Sequence, residues 1–157
     1  MHEKIRRIDE VKSIVAKAKK EGQKVVFTNG CFDVLHPGHL HLLQEARKLG
    51  DLLIVALNSD RSVKRIKGPD RPVLREKDRT ELIAALEMVD LVTLFEEPDP
   101  LATIRELRPN VLVKGGDWDK SKIVGADLVK KDGGSVVVIP YLEGYSSTQI
   151  IERMCKR

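Results

Sequence analysis

The chain predicts a doubly wound α/β fold on a five-stranded parallel sheet of order 3-2-1-4-5. Three observations carry this expectation. Five short apolar runs, at residues 24–28, 52–57, 91–95, 111–114 and 135–139, alternate with helix-like segments. The runs are apolar throughout rather than at every second residue, which suits strands covered on both faces. Two Gly-bearing polar segments leave strand ends, 29–39 after the first run and 114–118 after the fourth. In this order those strands are neighbours, and both segments line the crevice where the winding reverses.

The elements follow in turn. Residues 7–20 place Val11, Ile14, Val15 and Ala18 at helical spacing, and Gly22 stops the helix. After the first strand, Pro37 suits a first helical turn, and Leu40, Leu43, Ala46 and Arg47 carry the helix towards Gly50. Residues 58–75 are polar and contain Gly68-Pro69 and Arg71-Pro72, so a short helix and then a flexible basic loop are expected. A helix over 78–88 would bury Leu82, Ala85, Leu86 and Val89. Asp99 and Pro100 read as N-cap and first residue of a helix to about residue 108. A helix over 124–131 ends at Gly133-Gly134, and a last one over 146–156 opens with Ser146 and Gln149 in a capping-box pattern. No repeat or long linker divides the chain, so one domain over 1–157 is expected, with helix 7–20 as an N-terminal addition.

Composition narrows the function. The net charge of +4 is spread along the chain, and aromatic residues make up only 4%, so the basic stripe with interleaved rings that suits nucleic acid is missing. The two cysteines, Cys31 and Cys155, imply no disulfide framework. The first residues are charged, without an apolar signal core, and no apolar run approaches the ~20 residues of a membrane span. A reducing cytoplasm is the expected compartment.

The chemistry concentrates in Thr28-Asn29-Gly30-Cys31-Phe32-Asp33-Val34-Leu35-His36-Pro37-Gly38-His39. A tight loop here delivers His36 and His39 to the start of a helix, where free N–H groups and the helix dipole favour anions. Gly30 allows a close backbone approach. Phe32 suits either core packing or ligand contact, and Asp33 either holds its own turn or faces an acceptor. Cys31, His36 and His39 could be read as zinc ligands, but no fourth ligand is evident and no metal site is assigned. Lys114-Gly115-Gly116-Asp117-Trp118 offers a cation, close backbone and an apolar wall. Ser146, Ser147 and Thr148 open the last helix as a second anion site. Among Lys64, Arg65, Lys67 and Arg71, Lys67 or Arg71 is expected to reach phosphate. Arg79 reads as structural, and His2 and His41 as surface residues.

The segment 29–39 resembles the signature loop of the cytidylyltransferase-like nucleotidyltransferases, whose mark is His-x-Gly-His. Residues 112–118, the tail Glu143-Gly144-Tyr145-Ser146-Ser147-Thr148-Gln149-Ile150-Ile151, and Gly68-Pro69-Asp70-Arg71-Pro72-Val73 are together similar to the adenylyltransferase half of bifunctional ADP-heptose synthases, or its stand-alone form. The resemblance covers about residues 22–153. It implies a Rossmann-like nucleotidyltransferase fold and transfer of AMP from ATP, with Mg²⁺ held mainly by the phosphates, to D-glycero-β-D-manno-heptose 1-phosphate. The products would be ADP-heptose and pyrophosphate, for lipopolysaccharide core or related glycans. It implies His36, His39 and Lys67 as catalytic. It places Asn29, Gly30, Cys31, Phe32, Gly38, Lys114, Gly115, Gly116, Asp117, Trp118, Ser146, Ser147 and Thr148 on the nucleotide, and Asp33, Asn58 and Arg71 on the acceptor. Tyr141 stands where related cytidylyltransferases carry arginine, which fits the heptose branch better. A homodimer and a separate sugar kinase upstream are further expectations. The alternatives are another acceptor, glycerol 3-phosphate with CTP or FMN with ATP, and a nucleotide-binding module without turnover.

Overall fold

A computed structural model describes residues 2–156. Helix α1 (Ile8–Lys20) leads into β1 (Val25–Gly30), α2 (Pro37–Arg47) and β2 (Leu52–Asn58). Helices α3 (Asp60–Lys67) and α4 (Glu76–Ala84) precede β3 (Leu91–Phe95), and α5 (Leu101–Leu107) precedes β4 (Val111–Gly115). A 3-10 turn (Lys120–Lys122), α6 (Ala126–Lys131), β5 (Ser135–Ile139) and α7 (Ser147–Cys155) complete the chain. The sheet runs β3-β2-β1-β4-β5 with every pair parallel, the order expected.

Continuous apolar runs follow from a sheet buried on both faces. Successive residues point to opposite sides, so Leu53, Val55 and Leu57 of β2 join one core layer, with Leu43, Ala46 and Ile83. Ile54 and Ala56 join the other, with Val11 and Val15 of α1, Ile104 and Leu107 of α5, and Val129 of α6. Phe27 is fully buried in that layer. Its truncation to Ala would cost about 3–5 kcal/mol. The β3 edge is capped by residues 4–6, where the Arg6 amide donates to the Val92 carbonyl and the Val92 amide to the Lys4 carbonyl, each at 2.9 Å. Among the described residues, no helix is long and apolar enough to cross a membrane.

One feature of the register opens the site. β1 and β2 pair over six positions, from Val25↔Leu52 to Gly30↔Leu57. β1 and β4 pair only at Val26↔Val111 and Phe27↔Leu112. Beyond Phe27 the strands part, and the Thr28 hydroxyl bridges the gap by donating to the Val113 carbonyl at 3.0 Å. The crevice at the reversal of winding is therefore a separation in the sheet itself.

Several local expectations are corrected. Helix α4 starts two residues early and stops at Ala84, so residues 85–88 are not helical and the expected face is broken. Its buried residues are Arg79, Thr80, Ile83 and Ala84, while Leu82 is exposed; Leu86 and Val89 reach the core from the turn that follows. Lys64, Arg65 and Lys67 lie on α3 rather than in a flexible loop. Helix α5 has Pro100 at its N-cap, though the Asp99 carboxylate still accepts from the Leu101 amide at 2.9 Å. Helix α6 begins at Ala126 because Gly125 adopts φ 84°, outside helical backbone. His2 and His41 are half-buried rather than on the open surface.

Candidate active site

A cavity of about 810 Å³ runs along the carboxyl ends of the strands, within the range of small-molecule sites. Its centre is the β1–α2 loop. His36 is the N-cap of α2, and its Nδ1 accepts from the Gly38 amide at 3.1 Å. The His36 amide donates in return to Nδ1 of His39 at 3.3 Å. The two imidazoles thus form a reciprocal capping box, with rings stacked 3.8 Å apart at 23°. Gly38 is required beneath them, since a Cβ there would come within 2.8 Å of the His36 ring.

This geometry fixes the tautomers. An Nδ1 that accepts a backbone N–H cannot carry a proton, so the neutral ring carries it on Nε2. Burial lowers the pKa of His36, and burial with the neighbouring His36 pushes His39 down to about 4. Both rings are therefore neutral near pH 7 and offer Nε2–H donors. Capping and ligand contact are not rival roles here, because Nδ1 serves one and Nε2 is free for the other.

The rest of the loop is tied from below. Burial would raise the Asp33 carboxyl, but the amides of Leu74 and Val73 and the Arg71 guanidinium outweigh it and hold the pKa below its usual value. Asp33 accepts from those amides at 2.8–2.9 Å and from Arg71 Nε at 2.7 Å. Its carboxylate therefore anchors the 71–74 loop, not its own turn. Arg79 is fully buried and donates to the carbonyls of Leu74, Cys31 and Asn58 and to the Asp60 carboxylate, at 2.6–3.0 Å. One guanidinium thereby joins the ends of β1 and β2 to the loop between α3 and α4, the structural role expected of it. Phe32 is both core and wall: it is 5% exposed, lines the cavity, and lies 5.2 Å from the His39 ring.

The cavity wall also takes in Asn29, Gly30, Cys31, Asn58, Lys67, Arg71, Lys114, Gly115 and Trp118, and the Ser146, Ser147 and Thr148 of the α7 entrance. Gly116 and Asp117 are not on it; Gly116 is buried under the Tyr141 ring, where a Cβ would meet that ring at 2.6 Å. The side chain of Asn58 is engaged, donating to Ser62 Oγ at 3.0 Å. Lys67 and Lys114 supply positive charge; among the described residues neither is paired with a carboxylate. Burial, reinforced by the Lys67 cation, lowers the pKa of Lys114, whose Nζ sits 5.2 Å from the Trp118 ring centre. Burial raises the Cys31 thiol, which does not suit a thiolate nucleophile. Among the described residues, no three His, Cys, Asp or Glu side chains converge on a metal-holding cluster.

Sequence patterns place Asp99 and Pro100 only at a helix start and do not single out Pro98, Lys122, Ile123 or Val124 for a site, yet all six line the cavity. A Pro-Asp-Pro three residues beyond a strand end is the available signal, since strand ends make the site in this fold.

Comparison with known proteins agrees with this architecture. A cytidylyltransferase-like family profile matches residues 27–153. The chain is 52% identical over 154 residues to a protein of Trichlorobacter lovleyi named Bifunctional protein HldE, covering 98% of this chain and 31% of that one. A protein of the same name from Gluconobacter oxydans is 52% identical over 147 residues, 94% of this chain and 31% of the relative. The chain thus spans about a third of the length of these curated relatives. A solved lipopolysaccharide core biosynthesis protein from Thermoplasma volcanium superposes with a TM-score of 0.62 at 35% identity, over 80% of this chain and 100% of that one. A pantoate-beta-alanine ligase from Francisella tularensis, 19% identical with a TM-score of 0.59 over 94% and 75% of the two chains, shares the fold. Profile, relatives and the His36–His39 loop agree, and the chain belongs to the cytidylyltransferase-like family.

Proposed function

We propose that the protein transfers AMP from ATP to D-glycero-β-D-manno-heptose 1-phosphate, forming ADP-heptose and pyrophosphate. The observation that carries the reaction type is the pair of neutral imidazoles, locked through Nδ1 and free at Nε2, at a helix N-terminus inside the cavity. The acceptor rests on the similarity to the HldE proteins and to the lipopolysaccharide core biosynthesis protein.

In this mechanism a phosphate oxygen of the sugar 1-phosphate attacks the α-phosphorus of ATP. The bond from that phosphorus to the bridging oxygen breaks, and pyrophosphate leaves with the electron pair. No group of the protein becomes covalently attached. His36 and His39 donate from Nε2 to the α-phosphoryl oxygens as charge builds on them. Lys67 and Lys114 neutralise the triphosphate and acceptor phosphate, and the open N-terminus of α7 with Thr148 receives the outer phosphates. ATP enters as its magnesium complex, and no protein ligand to the ion is invoked. Catalysis is then positioning and electrostatic stabilisation by groups already in place. The acceptor is assigned to the end of the cavity at β2 and β3, where Asn58, Arg71 and Asp99 line it.

A sugar kinase acting beforehand, a homodimer and a cytoplasmic setting complete the reading. Pyrophosphate release from purified protein with Mg²⁺ and the heptose 1-phosphate, comparing ATP with CTP, tests it. Release with ATP that is lost in His39→Asn supports it. Release only with CTP and glycerol 3-phosphate, or only with ATP and FMN, would replace the acceptor and keep the reaction type.

A further inference from the structure

Among the described residues the His36 imidazole is held by a single hydrogen bond, from the Gly38 amide to Nδ1. A half-turn of the ring would exchange Nδ1 for carbon, lose that bond and redirect the Nε2–H. The ring is only part-buried, so packing on the open side has to prevent this. The Tyr145 ring supplies it. Its centre is 6.2 Å from that of His36 with the planes 19° apart, an offset-stacked arrangement. Its Cβ also covers Gly38, since a Cβ built on that glycine would lie 3.3 Å from it. Two residues on, Ser147 Oγ donates to the Val34 carbonyl at 3.0 Å, fixing the Tyr145 backbone to the same loop. The contact joins residues 109 apart in sequence, so it is not a by-product of the helix cap. The Tyr145 hydroxyl makes no hydrogen bond to any described residue, which leaves the ring as its working part.

We propose that Tyr145 is a positioning residue: its ring holds the His36 imidazole in the orientation that places Nδ1 on the Gly38 amide and Nε2–H in the cavity. This deepens the functional reading and rests on it for turnover, though not for the state of the histidine. The test compares Tyr145→Ala, Tyr145→Leu and Tyr145→Phe by ¹⁵N NMR of the imidazoles in the free protein and by steady-state pyrophosphate release. Tyr145→Ala and Tyr145→Leu are expected to lower kcat about three- to tenfold, with KM for ATP within about twofold. They should also bring the two ¹⁵N shifts of His36 together, as tautomers and orientations mix. Tyr145→Phe should recover most of the loss and separate the shifts again. Unaltered His36 shifts in Tyr145→Ala would overturn the proposal. So would a Tyr145→Phe as impaired as the alanine variant, which would assign the effect to the hydroxyl. If the parent protein shows no turnover with ATP and heptose 1-phosphate, the acceptor assignment fails while the NMR comparison still decides the role of Tyr145.

Discussion

Two walls of the same cavity are built in opposite ways. The β1–α2 loop is fastened from beneath by buried groups: Asp33 at 1% exposure, Arg79 at 0%, and the bonds that run from them to strand ends and to the 71–74 loop. The wall formed by residues 140–149 and α7 has no buried residue in its helix and leaves Tyr141 71% exposed. It meets the loop through the Tyr145 ring and the Ser147 hydroxyl. The groups that must be in place before reaction sit on the fastened wall. The wall proposed to receive the outer phosphates is held by few contacts, and such segments open locally at low free-energy cost.

The largest expected effect comes from unfastening the first wall. Arg79→Met removes the donor shared by the Leu74, Cys31 and Asn58 carbonyls and takes the guanidinium from the Asp60 carboxylate. Urea denaturation should show a loss of about 3–5 kcal/mol. His39→Asn should act on chemistry alone. Its amide oxygen can still accept from the His36 amide, but the distal donor is gone. We expect kcat to fall about 10²–10³-fold with the melting temperature little changed. A comparable loss of stability would mean that His39 serves the cap more than the reaction.

Acid should also unfasten this wall. The folded pKa of His39, about 4, lies below the unfolded value of about 6.5, so the unfolded chain binds more protons between them. Stability should fall as pH drops through that window. Asp33, also held low, adds a stabilisation present above its unfolded pKa of about 3.9 and lost as pH falls through its lower folded value. Asp33→Asn should remove that second component and cost about 1–3 kcal/mol at neutral pH, read from denaturation curves across pH. The smallest effect belongs to the other wall. Ser147→Ala should cost about 0.5–1.5 kcal/mol or less in global stability. It should instead speed amide exchange in residues 145–150, with Mg·ATP restoring protection. Exchange in α7 as slow as in β1 would erase the contrast.

Much of this was legible in the chain. Five unalternating apolar runs pointed to the parallel sheet, the Gly-bearing segments after the first and fourth runs fitted its 3-2-1-4-5 order, and His36-Pro37-Gly38-His39 after the first run marked the centre of the cavity. What hydropathy could not show was a polar residue that is buried because each of its side-chain nitrogens has a partner. Arg79 sits on the core face of α4 for that reason, while Leu82, the residue a periodicity count favours, faces solvent. Asp33 invites assignment to its own turn because its partners lie 38–41 residues away. Gly116 and Asp117 share a motif with Lys114, Gly115 and Trp118, yet Gly116, at φ 116°, is buried under the Tyr141 ring and neither it nor Asp117 lines the cavity. Spacing finds the segment, and only backbone direction sorts its members.

The short ladder between β1 and β4 has a consequence for redesign. Two rungs and then a parting of strands create the opening, so the backbone register sets it. The lips of that opening, at 66–71, 98–100, 122–124 and 141–145, belong to connections rather than to the sheet. Segments of other lengths and chemistries could be transplanted onto those positions while the imidazole pair stays where the backbone places it. A library varied at the β3 and β4 lips, selected for new phosphorylated acceptors, would exploit a division of labour between scaffold and rim that the strand register already imposes.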